Sequence, residues 1–284
     1  MIQTKKYIIL FSLTVFSVLL NVSLDAQNYE KTLQFAENQL AEQNYDVALK
    51  TFKRLIFFNK DENNYLLHKK VAEIALLRKK YEIAQLYFGL AYNIADDEKI
   101  KTELLFDKAY SQILNKKYKF AIIDLLSIDA HDEQTYKKTN FYLGTCYFGL
   151  SEFEKAKKYF ALCLNDKDGT QLNILFSDKK LNYPSPRKAE ILSMVFPGLG
   201  QFYAGNVKQG INSMILTAGL FAVGVYSSFA IDPLYGIVTV LPWFQRYYQG
   251  GYTNAGKFAK AKRDKNRSRI YNKIIDLINS DFNE

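Results

Sequence analysis

Between residues 28 and 168 the apolar side chains recur three and four positions apart, and sustained single alternation is hard to find. That spacing gathers apolar groups on one face of a helix, so the stretch predicts a series of amphipathic helices. It contains no proline. The pattern then breaks at QLNILFSDKKLNYPSPRK, where Pro184 and Pro186 predict a linker over residues 169–188, because a residue before proline avoids the helical region. Three nearly uncharged stretches come next: residues 189–207 with Glu190 as the one charge, residues 209–231 with none, and residues 233–245 with none. The middle one exceeds the roughly 20 residues a helix needs to cross a hydrocarbon layer, and it predicts a transmembrane helix.

Within the helical region four segments stack without gaps: NYDVALKTFKRLI, KYEIAQLYFGLAY, KYKFAIIDLLSID and EFEKAKKYFALCL. Their aromatic anchors, Tyr45, Tyr81, Tyr118 and Phe153, stand 36, 37 and 35 residues apart. Three positions after each comes Ala48, Ala84, Ala121 or Ala156, and four further on Phe52, Phe88, Leu125 or Phe160. A small residue lets paired helices approach, and a large one fills the gap to the next pair. This pattern resembles tetratricopeptide repeats. In the fourth unit Leu143, Gly144 and Tyr147 match the first-helix positions as well, whereas Ala36, Ala72 and Ala109 replace the glycine elsewhere and the terminating proline is missing. The resemblance implies an all-α helical solenoid over residues 27–168, with a concave groove for another protein. The repeat aromatics are expected to be packing residues, and Asn38, His68, Lys69 and Lys138 on the first helices are the candidates for lining the groove.

The stretch SMVFPGLGQFYAGN interrupts an apolar run with a proline, three glycines and a glutamine. In lipid every backbone polar group must be satisfied, so such a break requires a protein or polar cover. Two readings stay open: a short packed membrane segment, or an amphipathic helix lying on the surface with a turn at Pro197. The crossing count is two or three; the preferred topology is three, through the Pro-Gly segment, through residues 210–231, and back from Pro233, ending at the interfacial mixture of Trp243, Tyr247 and Tyr248. This would place the basic run KFAKAKRDKNRSR on the cytoplasmic side, with Lys257, Lys260, Lys262, Arg263, Lys265, Arg267 and Arg269 against anionic headgroups.

The carboxy-terminal part, residues 187–266, also resembles an uncharacterised bacterial membrane domain that often follows tetratricopeptide repeats. The positions that carry the likeness are Ser193, Pro197, Gly198, Gly200, Gln201, Tyr203 and Gly205, then Tyr248, Gly250, Ala255 and Ala259. Gly251 and Asn254 depart from the expected pattern. The resemblance implies membrane residence and no known reaction.

The first residues, MIQTKKYIILFSLTVFSVLLNVSLDAQ, place Lys5 and Lys6 before an apolar run and end in a small residue, the layout of a secretory signal peptide over residues 1–26. An uncleaved signal anchor is the alternative; both export the remainder of the chain. Two cysteines, Cys146 and Cys163, lie in apolar helical surroundings and read as buried small hydrophobes, not a bridge. The formal charge of +9 suits an anionic membrane surface. The basic tail carries no nucleic-acid motif, so nucleic acid is not expected as a partner. His68 and His131 have no spaced ligand set, and PGLGQ lacks the lysine and hydroxyl of a phosphate loop. No catalysis, metal or cofactor is therefore expected.

The sequence thus predicts an all-α chain, a tetratricopeptide-like solenoid followed by a small transmembrane helical domain over residues 189–248 and a basic amphipathic helix over residues 249–284. The expected function is that of an adaptor at the inner membrane. Its repeats, outside the cytoplasm, bind envelope or membrane proteins, its helices contact the bilayer, and an oligomer is compatible. The alternative is a transport or protein-insertion assembly in which the Pro-Gly domain is the working part.

Overall fold

The computed structural model describes residues 28–58, 64–164 and 169–282; the expected signal peptide lies outside them. Among the described residues there is no strand, and the helices pack in series. They fall into two compact units that divide between Glu152 and Phe153.

The first unit holds α1 (Tyr29–Ala41), α2 (Tyr45–Phe58), α3 (Tyr65–Leu77), α4 (Tyr81–Ile94), α5 (Glu98–Leu114), α6 (Tyr118–Leu126) and α7 (Glu133–Gly149), each packed on the next. Side-chain oxygens of Asn28, Asn64, Asp97 and Asp132 cap the starts of α1, α3, α5 and α7, accepting from backbone N–H groups that the helix leaves unpaired. These first helices end alike. Gln43, Lys79, Lys116 and Ser151 adopt positive φ, 36, 37 and 35 residues apart, the same intervals as the aromatic anchors. The following N–H reaches back to the carbonyls of Gln39, Ala75, Gln112 and Tyr147 at 2.8–2.9 Å, closing a left-handed helix cap in each repeat. One backbone turn is thus made four times by different residues.

The small and large repeat positions fill the interior. Ala48, Phe52, Ala84, Phe88, Ala121 and Leu125 are all buried, as are Ala36, Ala72 and Ala109 from the first helices. Burying a side chain the size of Phe52 or Phe88 contributes about 1.5–3 kcal/mol. At the carboxy end of α7 the Tyr118 ring lies against Gly149, where a Cβ would overlap it. Burial pushes the Tyr118 hydroxyl pKa above its ordinary value, with a smaller contribution from Cys146. Asp46 meets Arg78 at 2.9 Å and Lys80 at 3.5 Å, and one repeat later Glu82 meets Lys117 at 3.0 Å. These exposed pairs recur in register but add little stability.

The second unit holds α8 (Phe153–Ala161), α9 (Gly169–Ser177), a 3-10 turn (Lys179–Leu181), α10 (Pro186–Val195), α11 (Leu199–Tyr203), α12 (Val207–Ala230) and α13 (Pro233–Phe282). Ala156 and Phe160 on α8 are buried in this unit. Part of the expected linker is the helix α9, whose Leu172 is buried and which packs on α13. The expected membrane and basic helices are continuous: α13 runs 50 residues through Pro242, about 75 Å at a rise of about 1.5 Å per residue.

Helices α12 and α13 form an antiparallel hairpin. At its tip the Asp232 carboxylate accepts from the N–H groups of Leu234 and Tyr235 at 2.8 and 3.2 Å, and Pro233 occupies the first helical position. Along the seam Gly236 faces Ser228, Gly224 faces Val240, Phe221 meets Phe244, and Gly251 faces Ser213. Each pair of numbers adds to nearly the same value, so the register holds from tip to foot.

The Pro-Gly segment is not one continuous helix. It breaks into α10 and α11, of 10 and 5 residues, or about 15 and 8 Å against a hydrocarbon core of about 30 Å. Its Gly198 lies against Gly210 and Met214 of α12. It also packs on the portion of α13 around residues 248–259, forming a clasp with the hairpin.

Candidate functional site

The motif residues converge on one buried polar chain. Phe196 ends α10 in an extended conformation, and Gly198 at φ 98° begins α11. A side chain at Gly198 would be strained, and its Cβ would come 2.5 Å from the Gly210 carbonyl oxygen. This turn brings α11 back onto α10. The Gly200 N–H donates to Ser193 Oγ at 2.9 Å, the Ser193 hydroxyl donates to Gln201 Oε1 at 2.7 Å, and Gln201 Nε2 donates to the Gly251 carbonyl at 2.9 Å. Gln201 is 1% exposed, yet both ends of its amide are satisfied. A buried amide left unpaired is costly, so the three partners come as a set.

Close approach explains the remaining small residues. A Cβ on Gly200 would overlap the Ala189 carbonyl and lie 2.6 Å from Ser193 Oγ. Ala255 and Ala259 pack with Ala189 and Ala204 in one core, and Gly256 leaves room for Glu190. Tyr248 donates to the Met194 carbonyl at 2.7 Å, and Tyr203 accepts from the Ser185 N–H at 3.1 Å. Gly205, at φ 80°, closes the turn into α12. Two positions of the pattern exchange roles: Gly250 meets nothing, whereas Gly251, which departs from the expected pattern, touches Ser213 and supplies the carbonyl for Gln201. Pro197 sits half-buried at the break.

The seven basic residues of the tail do not form one face. Arg267 is turned inward: its Nε donates to the Leu181 carbonyl at 2.7 Å, its guanidinium lies 5.0 Å from the Phe153 ring centroid, and burial together with Arg263 lowers its pKa. Arg263 is half-buried, whereas Lys257, Lys260, Lys262, Lys265 and Arg269 are exposed. Asn266 is buried, donating to the Tyr183 carbonyl at 3.1 Å.

In the first unit the four groove candidates separate. Asn38 is exposed on α1, while His68 is half-buried with its ring 6.0 Å from that of Tyr87 and Nδ1 3.3 Å from the Asn64 carbonyl. The charges of Lys69 and Lys138 both act on Asp107, which sequence reasoning missed. Burial raises the Asp107 pKa, and the charges of Lys69 and Lys138 oppose that rise. Lys138 Nζ also lies 4.2 Å from the Phe106 ring centroid. Phe106 itself is buried, so the surface here is made by the two cations and the carboxyl. A second concavity, of about 640 Å³, opens between α4, α5 and α6. At its base Asp124 receives Lys108 at 3.0 Å and Gln112 Nε2 at 2.7 Å. Asp124 gave no sequence signal, because it stands alone on a helix.

No family model matches the chain, and no curated protein and no solved structure matches it.

Proposed function

We propose that the chain is a membrane-anchored adaptor: a tetratricopeptide-like stack captures an envelope or membrane protein, and the α12–α13 hairpin holds it at the bilayer. The carrying observation is the apolar sleeve of the hairpin. From Ile211 to Ile231 it extends about 30 Å, the thickness of a hydrocarbon core. Its side chains point outward, Phe229 being 90% exposed, and only 6% of the most apolar window of α12 is buried. A monomer in water rarely presents an apolar patch beyond a few hundred Å², whereas lipid covers one at no cost.

The hairpin crosses twice, so Asn206 and the basic tail stand on the same face of the membrane and Asp232 on the other. With residues 1–26 read as an export signal, that shared face is extracytoplasmic. The tail's charge runs against the positive-inside preference; what opposes that preference here is that the segment is folded into the second unit through Asn266 and Arg267. Arg246 lies about 10 Å inside the foot of the sleeve, within reach of the interface for a long side chain.

The transport reading requires polar groups of the Pro-Gly segment to line a path. The Gln201 amide is engaged at both ends inside the protein, which favours a fastener. The test uses membranes containing the full chain. After alkaline carbonate extraction the protein stays in the pellet, and photocrosslinkers at Lys69 and Lys138 yield one discrete adduct that survives Pro197→Ala. Release into the supernatant contradicts the anchor, and loss of vesicle flux in Pro197→Ala with the adduct intact supports transport instead.

A further inference from the structure

The clasp sets three elements side by side at the foot of the hairpin, and each brings exposed cations to the same depth. From the α12–α13 register, Lys208 on the first turn of α12 lies level with Gly256, and Lys257 is its neighbour on α13. Helix α10 runs antiparallel to α13: Met194 meets Tyr248, Glu190 meets Gly256, and Tyr183 meets Asn266. Arg187 and Lys188 therefore stand level with residues 258–259, beside Lys260. All five cations are exposed, and no ion pair among the described residues involves any of them. They begin about 5 Å beyond Ile211, where the apolar sleeve ends, and reach about 10 Å beyond it. The headgroup layer adds roughly 5–8 Å to each side of the hydrocarbon, so these cations start within it or just past its outer edge, within reach of the phosphates for a long side chain. Glu190, packed on Gly256, is the one acid in this stretch of α10 and the foot of the hairpin.

We propose that Arg187, Lys188, Lys208, Lys257 and Lys260 form a single ring that binds the phosphates of anionic phospholipids. The proposal rests on the membrane-anchor reading and sharpens it, since it selects residues by depth. Lys262, Lys265 and Arg269 lie about 14 Å or more beyond the sleeve and fall outside the headgroup layer. The rigid clasp fixes the spacing of the ring. Each cation at an anionic surface contributes about 1 kcal/mol, a factor of about five.

The chain has a single tryptophan, Trp243, placed within the sleeve, which makes contact with lipid directly readable. The full chain is reconstituted into phosphatidylcholine brominated on its acyl chains, which quenches Trp243, and unbrominated phosphatidylglycerol is titrated in. Preferential binding of the anionic lipid relieves quenching more steeply than unbrominated phosphatidylcholine does. The expected result is a clear phosphatidylglycerol preference that falls by about fivefold or more in Arg187→Gln/Lys188→Gln/Lys208→Gln and is unchanged in Lys262→Gln/Lys265→Gln/Arg269→Gln. Salt near 1 M, where the screening length is about 3 Å, abolishes it. If the triple ring variant does not reconstitute, Lys208→Gln alone makes the same comparison. A native chain without preference, a ring variant that keeps it, or a tail variant that loses as much overturns the proposal. Absence of any quenching in brominated lipid overturns the membrane reading itself.

Discussion

Replacing Gln201 with Ala tests whether the Pro-Gly motif is a clasp. The side chain makes two hydrogen bonds in a site from which water is excluded, to the Ser193 hydroxyl and the Gly251 carbonyl. A buried bond contributes about 1 kcal/mol net. Removing both, and leaving the space of an amide beside the Ser193 hydroxyl, costs about 2–4 kcal/mol. Ser193→Ala acts on the same chain from the other end. It removes the acceptor of the buried Gly200 N–H, one of the unpaired donors at the start of α11, for about 1–3 kcal/mol.

Since the two residues share one bond, the double variant loses less than the sum, with a coupling of about 1 kcal/mol. The assay is unfolding of the full chain in mixed micelles by increasing SDS, followed by Trp243 emission and helicity. Hydrogen exchange of the peptide that contains Gly200 is measured in parallel and accelerates in both single variants. Additive effects, or a Gln201→Ala loss below about 0.5 kcal/mol, would show that the amide does not fasten α10 and α11 to α13.

Other consequences are local. Phe88→Ala empties a fully buried repeat position and lowers stability by about 3–5 kcal/mol in chemical unfolding; a loss under about 1 kcal/mol refutes the stacked-repeat core. Burial raises the Asp107 pKa above 3.8, so the folded protein holds this proton more tightly than the unfolded chain. Its favourable contribution is present at acid pH and is lost as pH rises through the native value. Asp107→Asn therefore raises the midpoint at pH 7 and leaves it nearly unchanged at pH 3; equal shifts at both pH values contradict this. Burial pushes the Cys146 thiol up to about 12, so it resists alkylation at pH 8 until the chain unfolds, as read by mass spectrometry; rapid labelling in the native state refutes that burial.

The helices of the first unit were legible because their interior is local and periodic. Ala48, Ala84 and Ala121 mark helix contacts that any stacked pair needs, and their interval reappears in the backbone at Gln43, Lys79, Lys116 and Ser151. That second signal was hidden in the sequence, because none of those four residues is the glycine or asparagine that usually takes positive φ. The apolar helix α12 was equally legible from its length. The path of the Pro-Gly segment was not. Composition does not say what such a segment packs against, and the bonds that set its path join Gln201 to Gly251 and Met194 to Tyr248, some fifty residues away in sequence. The groove was half legible: Lys69 and Lys138 were visible as first-helix candidates, but Asp107, on which both charges act, gains its meaning only from the packing of the helices.

The two-crossing hairpin is tested most directly by site-specific cysteine labelling in intact cells and in inverted membrane vesicles. Cysteines are placed at Asn206, Asp232 and the exposed Lys262 in a chain whose own Cys146 and Cys163 are changed to alanine. The hairpin predicts that positions 206 and 262 react from one side and position 232 only from the other. Reaction of all three from the same side would contradict a spanning hairpin, and opposite sides for 206 and 262 would restore an odd number of crossings.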